Sequence, residues 1–187
     1  MQAVVAELAA NGYAGTTVER VAQRAGTAKT TIYRRWGGLD GLLADLMAEH
    51  AAREILAPDE GDLDRDLRAL ARAVVASLAD PAIRAAFGSM LAAAVQDPAA
   101  RGVLSGFLAG RIARMAVIID RAVERGELPP DTSAAEVLRT MAILIYGRLF
   151  FTGEPPSPLM ADAVAAAVAA AARAGAARLP SGKGAAG

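Results

Sequence analysis

The chain has 187 residues, with 20 basic and 20 acidic side chains, so its formal net charge is zero. That length suits one ordinary domain or two small ones, and the charge balance argues against a protein that coats nucleic acid through a broadly basic surface. Cysteine is absent and His50 is the one histidine, which excludes disulfides, thiol nucleophiles and sites built from several histidines. We therefore expect no catalytic residue, no metal and no cofactor, with a carboxylate-dependent enzyme as the remaining enzymatic alternative.

Hydrophobic patterning argues against a membrane protein. The longest stretch without a charged residue runs from Ala85 to Gln96, well short of the roughly 20 residues that a spanning helix needs. The first residues do not show a basic segment followed by an apolar core, so we expect no secretory signal. These features predict a cytoplasmic protein without a membrane partner.

Composition and helix boundaries predict an all-α fold of about nine helices. Ala, Leu and Arg, which favour helices, dominate the chain, and no run alternates as a strand would. Thr16 and Glu19 form a capping box at the start of the second helix, and Gly12 and Gly26 mark the ends of the first two. The predicted helices cover about residues 2–11, 16–26, 28–35, 39–57, 63–79, 82–96, 98–125, 133–152 and 157–174.

The helix lengths divide the chain into a head and a body. Three short helices within residues 1–46 predict a compact helix-turn-helix head. The longer helices over residues 47–175 predict a helical body, and the tail over 176–187, rich in Gly and Pro, is expected to be disordered.

The charge balance hides one strongly basic window in the head. Five basic residues and no acid lie between Glu19 and Asp40. In the third helix Ala28, Ile32 and Trp36 share an apolar face, which turns the polar side chains outward. A helix of this kind fits the major groove of DNA, where Arg pairs with guanine and Thr contacts base edges. The basic residues of this window are Arg20, Arg24, Lys29, Arg34 and Arg35.

The outward side chains can be divided into candidates for base contacts and candidates for phosphate contacts. The alternative is that they form an ordinary solvated helix face without a DNA-binding role. Thr30, Thr31 and Arg34 are the candidates for contacting bases. The candidates for holding phosphates are Thr17, Lys29, Tyr33 and Arg35. Trp36 is expected in the core between head and body rather than as a stacking platform, and His50 as an ordinary histidine rather than a pH sensor.

The order of residues in the head resembles the DNA-binding domain of the tetracycline-repressor (TetR) family. The matching segments cover about residues 1–46 and read Asn11-Gly12-Tyr13-Ala14-Gly15-Thr16-Thr17-Val18-Glu19, Val21-Ala22-Gln23-Arg24-Ala25-Gly26 and Lys29-Thr30-Thr31-Ile32-Tyr33-Arg34-Arg35-Trp36. The resemblance implies a homodimeric, ligand-responsive repressor that binds a pseudo-palindromic operator in double-stranded DNA. It also implies that the last two helices pair across a two-fold axis and that the body holds a small-molecule effector.

Three departures from the family pattern leave an alternative open. Ala28 stands where a capping Ser is usual, and Leu39 stands where a phosphate-contacting Lys is frequent. The chain also starts almost inside the first helix, and we expect a basic arm to be encoded upstream. The alternative is a helical dimeric ligand- or partner-binding protein with weak or lost operator binding.

Two sets of body residues are candidates for the effector and for the second subunit. Gly102, Gly106 and Gly110 repeat every four residues, which predicts close packing of another helix or the wall of a ligand pocket. The candidate effector pocket comprises Phe87, Met90, Gly106, Phe107, Gly110 and Met115. The apolar faces of the last two helices predict a four-helix dimer seam, with candidate residues Val137, Met141, Leu144, Ile145, Leu149, Val164 and Val168.

Overall fold

The computed structural model describes residues 1–39, 41–43, 45–46, 49 and 56–178. In chain order the helices are α1 (Gln2–Gly15), α2 (Val18–Arg24), α3 (Lys29–Trp36), α4 (Leu63–Ser77), α5 (Pro81–Gln96), α6 (Pro98–Glu124), α7 (Ala134–Tyr146) and α8 (Pro158–Arg173), and a π-helical turn (Gly147–Phe151) follows α7. The described ranges contain no strand, only an isolated bridge between Thr132 and Arg178. The all-α prediction is therefore confirmed.

The chain divides into two compact units. The first comprises Met1–Ile55 and Ala76–Arg111, and the second Leu56–Val75 and Ile112–Gly187. The predicted helix over residues 39–57 lies partly outside the described residues, but those that are described within 41–49 are helical. His50 lies outside them.

In the first unit, α1 holds the head together by packing against both α2 and α5. Val4 and Leu8 of α1, Val21 of α2 and Ile32 of α3 are buried, and they come from the apolar positions of each short helix. Because each helix offers only a few such residues, the head depends on all three to form a core.

In the second unit, apolar side chains of α4, α7 and α8 form the core, and charged residues link α4 to α8. Arg72 makes a two-pronged contact with Asp162 at 2.7 Å for each hydrogen bond, and Arg173 pairs with Asp64 at 2.5 Å. These hydrogen bonds hold the pKa of each aspartate below its ordinary value.

The buried Asp66 ties the start of α4 to the loop after α6. Its side chain is fully buried, where it accepts a hydrogen bond from the Glu60 amide at 2.7 Å and faces Arg125 at 3.5 Å. Glu127 binds the same Arg125 and accepts from the Leu63 amide. Glu127 therefore satisfies the first amide of α4, which lacks a helical partner, and Asp66 binds an amide of the loop before it.

Two predicted helix boundaries are corrected. Thr17, not Thr16, caps α2, because its hydroxyl accepts from the Arg20 amide at 3.3 Å. The Thr16 hydroxyl instead donates to the Gly12 carbonyl at 2.7 Å. Gly12 has a positive φ of 65° and interrupts α1 as predicted, but the helix resumes and continues to Gly15.

Most candidate dimer residues are core residues of this chain. Six of the seven, Leu144 excepted, are buried within the second unit, where α7 and α8 pack against each other. The prediction assigned these apolar faces to a partner, and the six residues are already buried in the single chain. The apolar side chains that stay exposed on these segments are Ile143, Leu144, Phe151 and Leu159.

Order extends past the predicted start of the tail at residue 176. The Ala176 amide donates to Ala171, and the Ala177 carbonyl accepts from the Ser133 amide. Residues 179–187 lie outside the described residues.

Within the part of the chain that the structure describes, one helix, α6, is long and apolar enough to cross a membrane, with a mean hydropathy of 1.6 over a window of 18 residues. The sequence prediction used a stricter criterion, a stretch without any charge. Length and composition alone are weak evidence for a membrane span.

Candidate nucleic-acid interface

The turn between α2 and α3 sets the direction of the third helix. Gly26 adopts a positive φ of 63°, which residues with a Cβ rarely do, and the Thr27 amide reaches back to the Ala22 carbonyl at 3.0 Å. At its other end α3 stops at Gly37, which is left-handed with a φ of 75°. Two glycines thus define a short helix joined to α2 by a tight turn.

The outer face of α3 is exposed, as predicted. Ile32 is only 2% exposed and anchors the helix to the head, whereas Thr31 is half-buried. Among the described residues, Thr30 and Arg34 have no hydrogen bond or ion pair with another side chain. The structure brings together on this exposed face Lys29, Thr30, Tyr33, Arg34 and Arg35, and Thr17 is exposed at the start of α2.

The start of α3 lacks a side-chain cap. Ala28 occupies the capping position with extended backbone angles and offers no side-chain acceptor, and the Thr31 amide donates to the Ala28 carbonyl at 3.0 Å. Thr27 does not replace the missing Ser. The free amides at this end remain available to an external acceptor such as a phosphate.

A buried acid changes the charge of the basic window, and sequence reasoning missed it. Glu7 of α1 is 5% exposed and accepts from the Arg24 guanidinium at 2.5 Å and from Asn11 at 2.7 Å. The hydrogen bond from Arg24 holds the Glu7 pKa below its ordinary value. Glu7 shares a helix face with Val4 and Leu8, and an acid within an apolar stripe is the signal that could have indicated a buried partner.

Two more basic side chains of the window have partners on the surface. Lys29 lies 3.8 Å from the exposed Glu19. Arg35 lies over the Trp36 ring, 4.6 Å from its centroid, and the Trp36 indole donates to Asp45 at 2.8 Å. Trp36 is half-buried, not fully buried as expected of a core residue, and its ring lies against Arg35.

The candidate effector residues do not all face one way. Phe87 and Phe107 are in edge-to-face contact, with ring centroids 6.0 Å apart, and Met90 is buried. Gly106 and Gly110 instead lie on the exposed side of α6, and a Cβ on either would meet nothing within 4 Å among the described residues. Phe107 itself is half-buried. Met115 is buried in the second unit.

The first unit also contains a cavity that the sequence did not indicate. Its volume is about 460 Å³, and it lies where the interrupted part of α1 meets α5. It is lined by Asn11, Gly12, Tyr13, Ala14, Ser89, Ala92, Ala93, Gln96 and Asp97. None of the candidate effector residues lines it.

Family models account for both parts of the chain. A model described as "Bacterial regulatory proteins, tetR family" matches residues 1–46, and one described as "Tetracyclin repressor-like, C-terminal domain" matches residues 57–173. The chain belongs to the TetR family. By family and fold it is a TetR-family transcriptional regulator, which confirms the resemblance seen in the head.

Individual relatives agree with this assignment. The chain is 27% identical over 126 residues to the HTH-type transcriptional regulator AqdR of Rhodococcus erythropolis, a match that covers 67% of this chain and 60% of the relative. This TetR-family chain thus spans less than two thirds of that relative. The solved TetR family transcription regulator SCO0332 is 27% identical with a TM-score of 0.71, covering 90% of this chain and 93% of its own. Salmonella enterica GusR has a similar fold, with a TM-score of 0.73 and 19% identity, covering 91% and 94%.

Proposed function

We propose that this TetR-family protein is a cytoplasmic, ligand-responsive repressor that binds a pseudo-palindromic operator as a homodimer and has no enzymatic activity. The observation that carries the proposal is the outer face of α3, where Thr30 and Arg34 are exposed and have no partner among the described side chains. An exposed Arg beside Thr on a short, anchored helix can hydrogen-bond base edges in the major groove.

The surrounding side chains support a division between base and phosphate contacts. Lys29, Tyr33 and Arg35 flank the central residues of α3 and are exposed, so they can reach phosphates on either side of the groove. Thr17 lies at the exposed start of α2, where free helix amides favour an anion. We propose that these four hold the DNA backbone while Thr30, Thr31 and Arg34 read bases.

Regulation requires a second subunit and an effector. Exposed apolar side chains on α7, the π-helical turn and α8 support a partner surface there. For the effector, the Phe87–Phe107 contact with Arg111 above the Phe107 ring, 5.6 Å from its centroid, offers an apolar site with one cationic group. The proposed dimer would have one conformation in which its two heads fit successive major grooves and one in which they do not. A small molecule that binds the second conformation more tightly would release the operator.

The test is selection of binding sites from random duplex DNA, followed by affinity measurements on the selected duplex. The intact chain is expected to select an inverted repeat, because two heads related by a two-fold axis read two half-sites. Arg34→Ala should lose about 1–3 kcal/mol of binding free energy and relax the preference at one base position of each half-site.

The matched control is Arg114→Ala, which removes an exposed arginine from α6 in the second unit. It should bind the selected duplex as the unaltered chain does. Selection without any sequence preference, or equal behaviour of Arg34→Ala and Arg114→Ala, would contradict the proposal. Selection without sequence preference would favour the alternative of a ligand- or partner-binding protein. The uncapped start of α3 is a second reason to test that alternative.

A further inference from the structure

Arg24 differs from the other basic residues of the head because its partner is a buried carboxylate. Its guanidinium Nε lies 2.5 Å from Glu7, whose side chain is 6% exposed, while the Arg24 side chain is 47% exposed. Lys29 faces an exposed acid, and the Arg20 guanidinium reaches only the Gly15 carbonyl at 3.4 Å. Among the described residues of the basic window, Arg24 is the one that pairs with an acid whose side chain is almost inaccessible to solvent.

The position of this pair in the chain lets it influence the orientation of α3, the proposed recognition helix. Arg24 is the last residue of α2, immediately before the turn that leads to α3, and Glu7 lies in the middle of α1. Asn11 donates to the second oxygen of the same carboxylate, which fixes its orientation. The pair therefore fastens the end of α2, and with it the start of the turn, to α1.

Transfer of Arg24 to a DNA phosphate would be unfavourable. It would leave the Glu7 carboxylate buried with Asn11 as its remaining partner, and an unpaired buried charge is strongly destabilising. The burial of Glu7 would then raise its pKa, since Arg24 is the main group that lowers it. The ion pair is thus a fixed part of the head and not a charge held ready for DNA.

We propose that Glu7 and Arg24 are positioning residues for sequence-specific DNA binding: the pair orients α2 and α3 relative to α1, and Arg24 does not contact the DNA backbone. This inference rests on the proposed operator binding. Of the five basic residues of the window, it assigns Arg24 to the structure of the head and not to DNA.

Three kinds of loss can be separated by measuring affinity for the selected duplex and for a scrambled duplex over a range of salt concentrations. A lost phosphate contact weakens both duplexes and lowers the salt slope by about one. A smaller folded fraction weakens both equally and leaves the slope unchanged. A misplaced recognition helix weakens the selected duplex alone, because base contacts require register and phosphate contacts tolerate its loss.

Arg24→Met is expected to weaken binding to the selected duplex about tenfold, which is within the range of one mismatched base pair. Binding to the scrambled duplex should change little, and the salt slope should be unchanged. Arg24→Lys, which retains the charge opposite Glu7, should recover part of the preference. Lys29→Ala is the matched comparison, and it should weaken both duplexes and lower the slope by about one. A lowered slope for Arg24→Met, or equal losses on both duplexes, would overturn the proposal.

Amide hydrogen exchange of the free protein tests the same inference without DNA. Arg24→Met should increase exchange in residues 18–36 while α7 and α8 keep their protection. The double variant Glu7→Leu/Arg24→Met, which removes the buried carboxylate together with its partner, should recover protection. If the intact chain shows no sequence preference, the proposed function fails, and this measurement still decides the positioning role. Unchanged exchange in residues 18–36 would refute that role.

Discussion

Gly41 is a position where one methyl group would collide with the backbone. A Cβ there would overlap the Trp36 carbonyl oxygen and lie 3.0 Å from the carbonyl carbon, and a backbone group cannot move aside as a flexible side chain can. Gly41→Ala is therefore expected to lower the free energy of unfolding by about 1–3 kcal/mol, the range for overpacked sites. Thermal and urea unfolding followed by circular dichroism would measure the change.

Gly102→Ala is the matched control and should have the opposite sign. Gly102 lies within α6, is exposed, and a Cβ there meets nothing within 4 Å among the described residues. Replacing a helical glycine at such a site stabilises by about 0.5–1 kcal/mol. Destabilisation at Gly102, or no loss at Gly41, would contradict this account of the two glycines.

The contacts of individual residues were the hardest feature of this structure to predict from the sequence. The sequence indicated which face of α3 is exposed, because apolar spacing and charge decide that locally. It did not indicate that Thr17 rather than Thr16 caps α2, since both residues are good caps and the choice depends on where Gly12 interrupts α1. It also missed the partner of Glu7, because 17 positions separate it from Arg24 in the sequence.

The sequence predicted the secondary-structure elements more accurately than the contacts of individual residues, and the errors in the predicted elements have physical causes. Proline and glycine mark most boundaries, so helices such as α5 (Pro81–Gln96) and α6 (Pro98–Glu124) agree with the prediction to within a residue. The π-helical turn Gly147–Phe151 was not predicted. Its hydrogen bonds run within a segment whose composition also suits an α-helix, so periodicity does not distinguish the two.

The two ion pairs between α4 and α8 predict how stability depends on pH. The folded-state pKa values of Asp64 and Asp162 lie below their ordinary values, through hydrogen bonds from Arg173 and Arg72 respectively. A lowered folded pKa means that the unfolded chain binds more protons over this range. The stabilisation is therefore complete above the ordinary carboxylate range and is lost as the pH falls through the folded pKa values.

Asp162→Asn tests this sign. The variant should unfold at a lower temperature than the unaltered chain at pH 7, and the difference should shrink as the pH is lowered below the ordinary range of aspartate. Thermal unfolding at a series of pH values would measure it, with the exposed Asp120→Asn as a control that should not change the pH profile. A difference that is constant down to low pH would show that the Asp162 charge does not contribute.

At the level of the whole molecule, a net charge of zero conceals a separation of charges that the head uses. The basic window lies in the first unit, where Glu7 neutralises Arg24 and the outer face of α3 keeps its positive charge. The remaining 15 basic residues are outnumbered by the 20 acids of the chain. We expect this balance to limit non-specific binding and to confine DNA contact to the head.

The proposed second subunit is the whole-molecule feature whose contact surface sequence periodicity does not define. An apolar stripe is the same whether a helix packs against its own chain or against another, so Val137 or Val164 could not be assigned to either from the sequence. Such residues are already buried within the single chain, whereas Ile143 is 63% and Phe151 is 87% exposed in it. These are the residues that a partner would cover.

Ile143→Glu is therefore expected to dissociate the proposed dimer, because association would bury an unpaired charge. In sedimentation velocity at micromolar concentration, the unaltered chain should have the mass of two chains and the variant should shift towards that of one. The variant should also lose affinity for the selected inverted repeat while one half-site alone binds as before, since only the pairing of heads is affected. Val95→Glu places the same charge on an exposed apolar residue of the first unit and should leave the dimer intact. A monomeric unaltered chain, or dissociation by Val95→Glu and not by Ile143→Glu, would show that α7 and the π-helical turn do not form the interface.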